Sequence, residues 1–288
     1  MRRIGLVIAS AFLLGLPAVV RAAPIGYSIS DANQTLYQID MATGRAIALG
    51  VIPYAGEGEE LEGLTAVGNR ILAVSESNNG SGFMQGTLWD VTTAPGARIG
   101  STGPRFGTEA GLGYNSRDGF LYNINADDLA SGTRSTLYRI NPATAATTPV
   151  GTSPIYADGL GINAAGEAFA SDFRLTDSLY RVNLTTGALT LVGGFGIGNV
   201  AFDSGLDFDQ DGTLWALTED GSIYTVNTSS GAASFVAFVT VNGVRVEGDL
   251  EGLAIAAPVP EPSTLALGGI GALTLAVGAW RRRRKTAS

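Results

Sequence analysis

The stretch Asp158-GLGINAAGEAFASDFRLTDSLYRVNLTTGALTLVG-Gly194 decides the fold. It opens with an acid followed by Gly-Leu. Four short β-rich runs follow, divided by Asn-Ala-Ala-Gly, by Thr-Asp and by Thr-Thr-Gly. Short runs separated by turn residues, without a 3.6-residue apolar period, are strands. The parts of this stretch recur. An acid before Gly-Leu stands at Glu62-Gly63-Leu64, Glu109-Ala110-Gly111-Leu112, Asp158-Gly159-Leu160, Asp203-Ser204-Gly205-Leu206 and Glu251-Gly252-Leu253, so the glycines lie 48, 48, 46 and 47 residues apart. A second signature, Leu/Ile-Tyr/Trp-x-Ile/Val, stands at Leu36-Tyr37, Leu88-Trp89, Leu137-Tyr138, Leu179-Tyr180 and Ile223-Tyr224. A Thr/Ser-Gly or Pro-Gly turn follows it, except in the third copy, where Pro142 stands near the turn and the Gly is missing.

A unit of ~40–50 residues with four strands is the blade of a β-propeller. The phase of the repeat tells how the ring closes. The chain enters inside a unit, with Ile25–Ser30, Thr35–Asp40 and Arg45–Gly50 reading as later strands, and the last unit has only its first strand, Glu251–Ala256. One terminal strand plus three initial ones complete a blade and hide its sheet edges. Four intact units and this composite predict five blades; the even spacing leaves little room for a degenerate sixth, for example within Asn78–Arg105.

The ends read differently. Residues 1–22 are a signal peptide by pattern: Arg2 and Arg3, an apolar run from Ile4 to Leu16, and a small-x-Ala site at Val20-Arg21-Ala22. Residues 23–257 are the repeat domain, and 258–288 form a tail with three parts. Pro260-Glu261-Pro262-Ser263 comes first, then the uncharged apolar stretch 264–280, then the basic cluster Arg281, Arg282, Arg283, Arg284 and Lys285. Seventeen apolar residues at ~1.5 Å rise are at the short limit for a transmembrane helix. A basic cluster stays on the cytoplasmic side, so the domain is expected outside.

This tail resembles the PEP-CTERM sorting signal. The resemblance implies recognition by an exosortase, a membrane Cys protease-transpeptidase acting near Pro-Glu-Pro. It also implies a Gram-negative bacterium that makes exopolysaccharide, and a cell-surface or matrix destination.

Composition excludes several chemistries. The chain has no Cys and no His, so thiol nucleophiles, Cys-based metal sites and imidazole mechanisms are ruled out. Eight of the 18 basic residues lie in the two ends, which leaves the domain ten Arg against 25 acids, a formal charge of −15. Such a surface disfavours nucleic acid and attracts divalent cations.

Glu62, Glu109, Asp158, Asp203 and Glu251 repeat at the start of the expected innermost strand. They are candidate channel-rim carboxylates, either a Ca²⁺-holding ring or a turn feature that repeats with the architecture. Glu62-Gly63-Leu64 and Glu251-Gly252-Leu253 are also similar to segments of phytase-like propellers, but the domain has no Lys to hold phosphate. Asp207, Asp209 and Asp211 precede Gly212 with the spacing of half a calcium loop, while Thr218 fills the position of the bidentate Glu. The aligned segments at Asn115 and Asn163 favour an ordinary hairpin. The recurring Tyr/Trp reads as packing between blades. No residues select a catalytic set. Two functions are therefore expected: a non-enzymatic binding or scaffolding protein for matrix polysaccharide or a surface protein, or a calcium-assisted glycan or phosphoester hydrolase using channel carboxylates.

Overall fold

The computed structural model describes residues 23–53, 59–77, 86–103, 109–126, 134–172, 177–197, 204–246 and 249–256. The signal peptide, the tail with its motif, apolar stretch and basic cluster, Asp203, and the Glu109 side chain lie outside the described residues.

The first blade begins with β1 (Ile25–Ser30), β2 (Thr35–Asp40) and β3 (Ala46–Val51). The second is β4 (Glu59–Val67), β5 (Arg70–Ser77), β6 (Thr87–Asp90) and β7 (Ala97–Ser101). The third is β8 (Glu109–Asn115), β9 (Phe120–Ala126), β10 (Ser135–Ile140) and β11 (Thr147–Ser153). The fourth is β12 (Ala157–Ile162), β13 (Ala168–Asp172), β14 (Ser178–Val182) and β15 (Leu189–Gly194). The fifth is β16 (Ser204–Phe208), β17 (Leu214–Thr218), β18 (Ser222–Val226) and β19 (Ala233–Phe238). A small hairpin, β20 (Thr240–Val241) and β21 (Val244–Arg245), leads to β22 (Leu250–Ala256), which pairs with β1 and completes the first blade. The protein is a five-bladed propeller of four-stranded antiparallel sheets. Residues 87–101 supply the outer strands of the second blade, so no sixth blade is hidden there.

The second signature is the third strand of each blade. Its Leu or Ile is buried in every copy, and Tyr37, Trp89, Tyr180 and Tyr224 are buried beside it, as packing between blades requires. A polar residue directly after the signature, or in the second blade the Asp90 within it, makes the turn. Asp40, Asp90, Asn141, Asn183 and Asn227 each accept the N–H of the residue two positions on, at 2.9–3.1 Å. Where the third copy lacks Gly, Ala145 adopts φ +60° and takes over the left-handed position.

The innermost strands β22, β4, β8, β12 and β16 are neighbours around the axis. They pack backbone to backbone at the glycines of the first signature. A methyl group on Gly63 would lie 2.1 Å from the Ala110 carbonyl oxygen, and one on Gly252 would lie 2.3 Å from that of Glu62. A second set of contacts lies at the rim, where the outer strand of one blade meets the third-to-fourth turn of the next. Gly151 against Thr186 and Gly193 against Ser230 leave gaps of 1.9 and 2.1 Å to the facing carbonyl oxygens for the same imaginary methyl. The Gly-Leu and Val-Gly repeats are thus the seams between blades.

Candidate functional site

The axis is the place where the repeat converges. Gly63, Gly111, Gly159, Gly205 and Gly252 line an opening of about 290 Å³, mouth included, together with the leucine after each and the acids Glu62, Asp158 and Glu251. These three acids are buried, Asp158 at 3% exposure. The Asp158 carboxylate accepts the Gly159 N–H at 2.5 Å and the Ser171 hydroxyl at 2.7 Å through the same oxygen, Oδ1. It thereby joins the first two strands of its own blade where their register slips. Among the described residues, no three acids come close enough together to hold a metal ion.

The structure does not assemble Asp207, Asp209 and Asp211 into a cation cage. Asp209 makes the hairpin between β16 and β17. Its Oδ1 accepts the N–H groups of Asp211 and Thr213, both at 2.9 Å, and its Oδ2 accepts the Trp215 indole N–H at 2.9 Å. Asn163 does the same at the equivalent hairpin of the fourth blade, accepting from Ala165 and Glu167, and Asn115 accepts from Arg117. An uncharged amide thus fills the position in two other blades, so the hairpin needs an acceptor there and no negative charge.

Asp207 has a different task. Its Oδ1 accepts the Phe208 N–H at 2.8 Å, and its Oδ2 crosses to the closing strand β22 and accepts the Ile255 N–H at 2.7 Å. An innermost strand leaves one edge without a ladder partner, and this carboxyl satisfies a donor on that edge. Burial pushes its pKa up to about 7, helped by the nearby Asp209 and opposed by the two N–H donors. No spacing marks this role in the sequence, because the fifth blade alone carries an acid at this step of its inner strand.

The neutral carboxyl is the form the fold prefers. In the unfolded chain the same carboxyl ionises in the ordinary range, near pH 4. The contribution of Asp207 to stability is therefore complete below that range. It is lost as pH rises from there to about 7, and the loss is constant above. Within that interval a rise of one in pH costs ~1.4 kcal/mol. Melting curves should show the transition falling by several degrees between pH 5 and 7 and levelling off by pH 8, and Asp207→Asn should flatten the profile. The chain has no histidine, the side chain whose ordinary pKa falls in that window.

Beyond the axis, the outer strands carry exposed apolar side chains that no motif in the sequence marks. Ile47, Leu49 and Val51 lie on β3, and Phe235 and Phe238 lie on β19. The two phenylalanine rings are 4.8 Å apart, and the Arg245 guanidinium sits 3.9 Å above the Phe238 ring. Arg245 also pairs with Asp220 at 2.8 Å. β3 and β19 contain no charged residue. The signal is a uniform exposure pattern along the fourth strands, visible only once the blades are in register.

Residues 97–246 match a family described as a repeat of unknown function (DUF6923), and residues 258–284 match the PEP-CTERM protein-sorting motif. No curated protein matches the chain. Among solved structures, one is a protein of unknown function from Bacteroides thetaiotaomicron, 15% identical with a TM-score of 0.44 over 74% of this chain. The chain spans 50% of that protein's length. The PQQ-bound aldose sugar dehydrogenase of Streptomyces coelicolor is 14% identical, with a TM-score of 0.46 over 85% of this chain and 87% of its own. A gluconolactonase from Xanthomonas campestris is 16% identical, with a TM-score of 0.44 over 80% of this chain and 79% of its own.

Proposed function

The chain belongs to the DUF6923 repeat family and carries a PEP-CTERM motif that marks an exported, exosortase-processed protein of the cell envelope, and from that premise we propose that its propeller is a non-enzymatic binding or scaffolding module of the exopolysaccharide matrix. Before processing, the apolar stretch 264–280 holds it in the inner membrane of a Gram-negative cell, with the domain outside. The observation that carries this reading is the paired Phe235 and Phe238 on an uncharged outer strand, stacked with Arg245. Half-exposed aromatic rings beside a guanidinium suit the C–H groups and hydroxyls of a sugar ring. The buried acids with named partners support the same reading, since Asp158 and Asp207 serve as acceptors for backbone and hydroxyl groups of the fold.

The test is co-sedimentation of the 23–257 domain with purified exopolysaccharide from a PEP-CTERM-bearing host. The double variant Phe235→Ala/Phe238→Ala should weaken binding about tenfold, equal to ~1.4 kcal/mol, with little change in melting temperature. Undiminished binding by the variant would remove the aromatic pair from the argument. No binding by the parent domain would sink the polysaccharide reading.

A further inference from the structure

The two ends of a propeller are not equivalent here. On one end lie the tight turns between first and second strands and between third and fourth strands. On the other lie the connections between second and third strands, short in the first and fifth blades, and those from blade to blade. β22 stops at Ala256 opposite Ile25, at the place where an intact blade would have its first tight turn. The tail therefore leaves the domain beside the axis, on the tight-turn end. The Met41 N–H bonds to the Pro24 carbonyl at the same end, so the chain also enters there.

Seven residues, 257–263, separate Ala256 from the apolar stretch. Fully extended they reach about 25 Å. A domain of this length has a radius near 20 Å, and six-residue strands add a depth of about 20 Å. To reach the opposite end, the tail would have to run from the axis to the rim and then along that depth, about 40 Å, which it cannot.

Charge points the same way. Among the described residues, the tight-turn end carries Arg45, Arg70, Arg98, Arg117, Arg139 and Arg181 against seven acids, in its turns or within two residues of them. The connection end carries ten acids, among them Asp31, Asp177, Glu219 and Asp249, against Arg134 and Arg245. An anionic bilayer surface repels the second end and tolerates the first.

We infer that the tight-turn end is a membrane-facing surface. While the tail is uncut, the propeller stands on the bilayer with that end down, and the acidic connection end points away from the cell. This rests on the anchoring proposed above and adds the orientation.

The natural absence of cysteine makes the test direct. Ser116→Cys and Ser229→Cys place a label on exposed tight turns, and Ala32→Cys places one on the other end. Each full-length variant is labelled with a fluorophore and reconstituted in liposomes whose headgroups carry a quencher. Quenching at 116 and 229 should exceed that at 32 at least threefold. Equal quenching at the three sites, or stronger quenching at 32, in protein that floats with the liposomes overturns the orientation alone. Protein that does not float overturns the anchoring and the orientation together.

Discussion

Gly111→Ala is expected to cost the propeller about 4 kcal/mol and to lower its melting temperature by at least about 10 °C. The added methyl would sit 1.7 Å from the Asp158 carbonyl oxygen and 2.7 Å from the Leu160 backbone nitrogen. Both obstacles are main chain of the neighbouring inner strand, so no side-chain rotation relieves the clash. One innermost strand would have to move outward, and each is wedged between two others. Gly68→Ala is the control. Gly68 has φ +64°, but nothing lies within 4 Å of the added carbon. Its cost is the left-handed backbone alone, about 1 kcal/mol. Thermal or urea unfolding of the two variants, side by side, checks the contrast. Equal losses would mean that the neighbouring strand gives way and that the close approach at Gly111 costs little.

Removing β22 should be worse still. A chain ending at Asp249 loses Leu250, Leu253 and Ile255, all buried, along with the ladder to β1. At ~1.5–3 kcal/mol for each large side chain, the burial alone amounts to about 5–9 kcal/mol. That is comparable to the whole stability of an ordinary domain, about 5–15 kcal/mol. The truncated chain should show no cooperative transition, whereas one ending at Ala257 should melt like the complete domain. A synthetic peptide of residues 249–257, added in excess, should restore the transition to the truncated chain by pairing with β1. Cooperative melting of the truncated chain on its own would show that the ring does not depend on its closing strand.

The blade count, the closure and the strand order were legible because they rest on periodic features: five acid-Gly-Leu copies, five Leu-Tyr copies and an incomplete unit at each end of the repeat. Turn chemistry was legible too, since Asn and Asp announce Asx turns wherever they follow a strand. The carboxylates were harder to read. A run such as Asp207-Phe208-Asp209-Gln210-Asp211 looks like a set of ligands in one dimension. In three dimensions Asp207 belongs to the seam with β22, and Asp209 belongs to a hairpin. What separates them is a partner 48 residues away, which local spacing cannot disclose. The inner glycines were visible as a repeat but not as contacts, because close approach is a relation between two strands. The Phe235 and Phe238 surface was hidden for a simpler reason. An apolar residue in a strand reads as core until its face is known.

The closing strand also decides how the molecule carries load. Under the anchoring proposed above, any drag on the body of the protein acts as a pull on Ala256. That pull runs along β22, while the bonds joining β22 to β1 lie across it. The ladder is therefore sheared, with its rungs loaded together, and is not peeled open one rung at a time. Asp207 adds a further rung from the opposite side, through Ile255. The joint that completes the ring is thus also the shackle by which the propeller can be towed without unravelling.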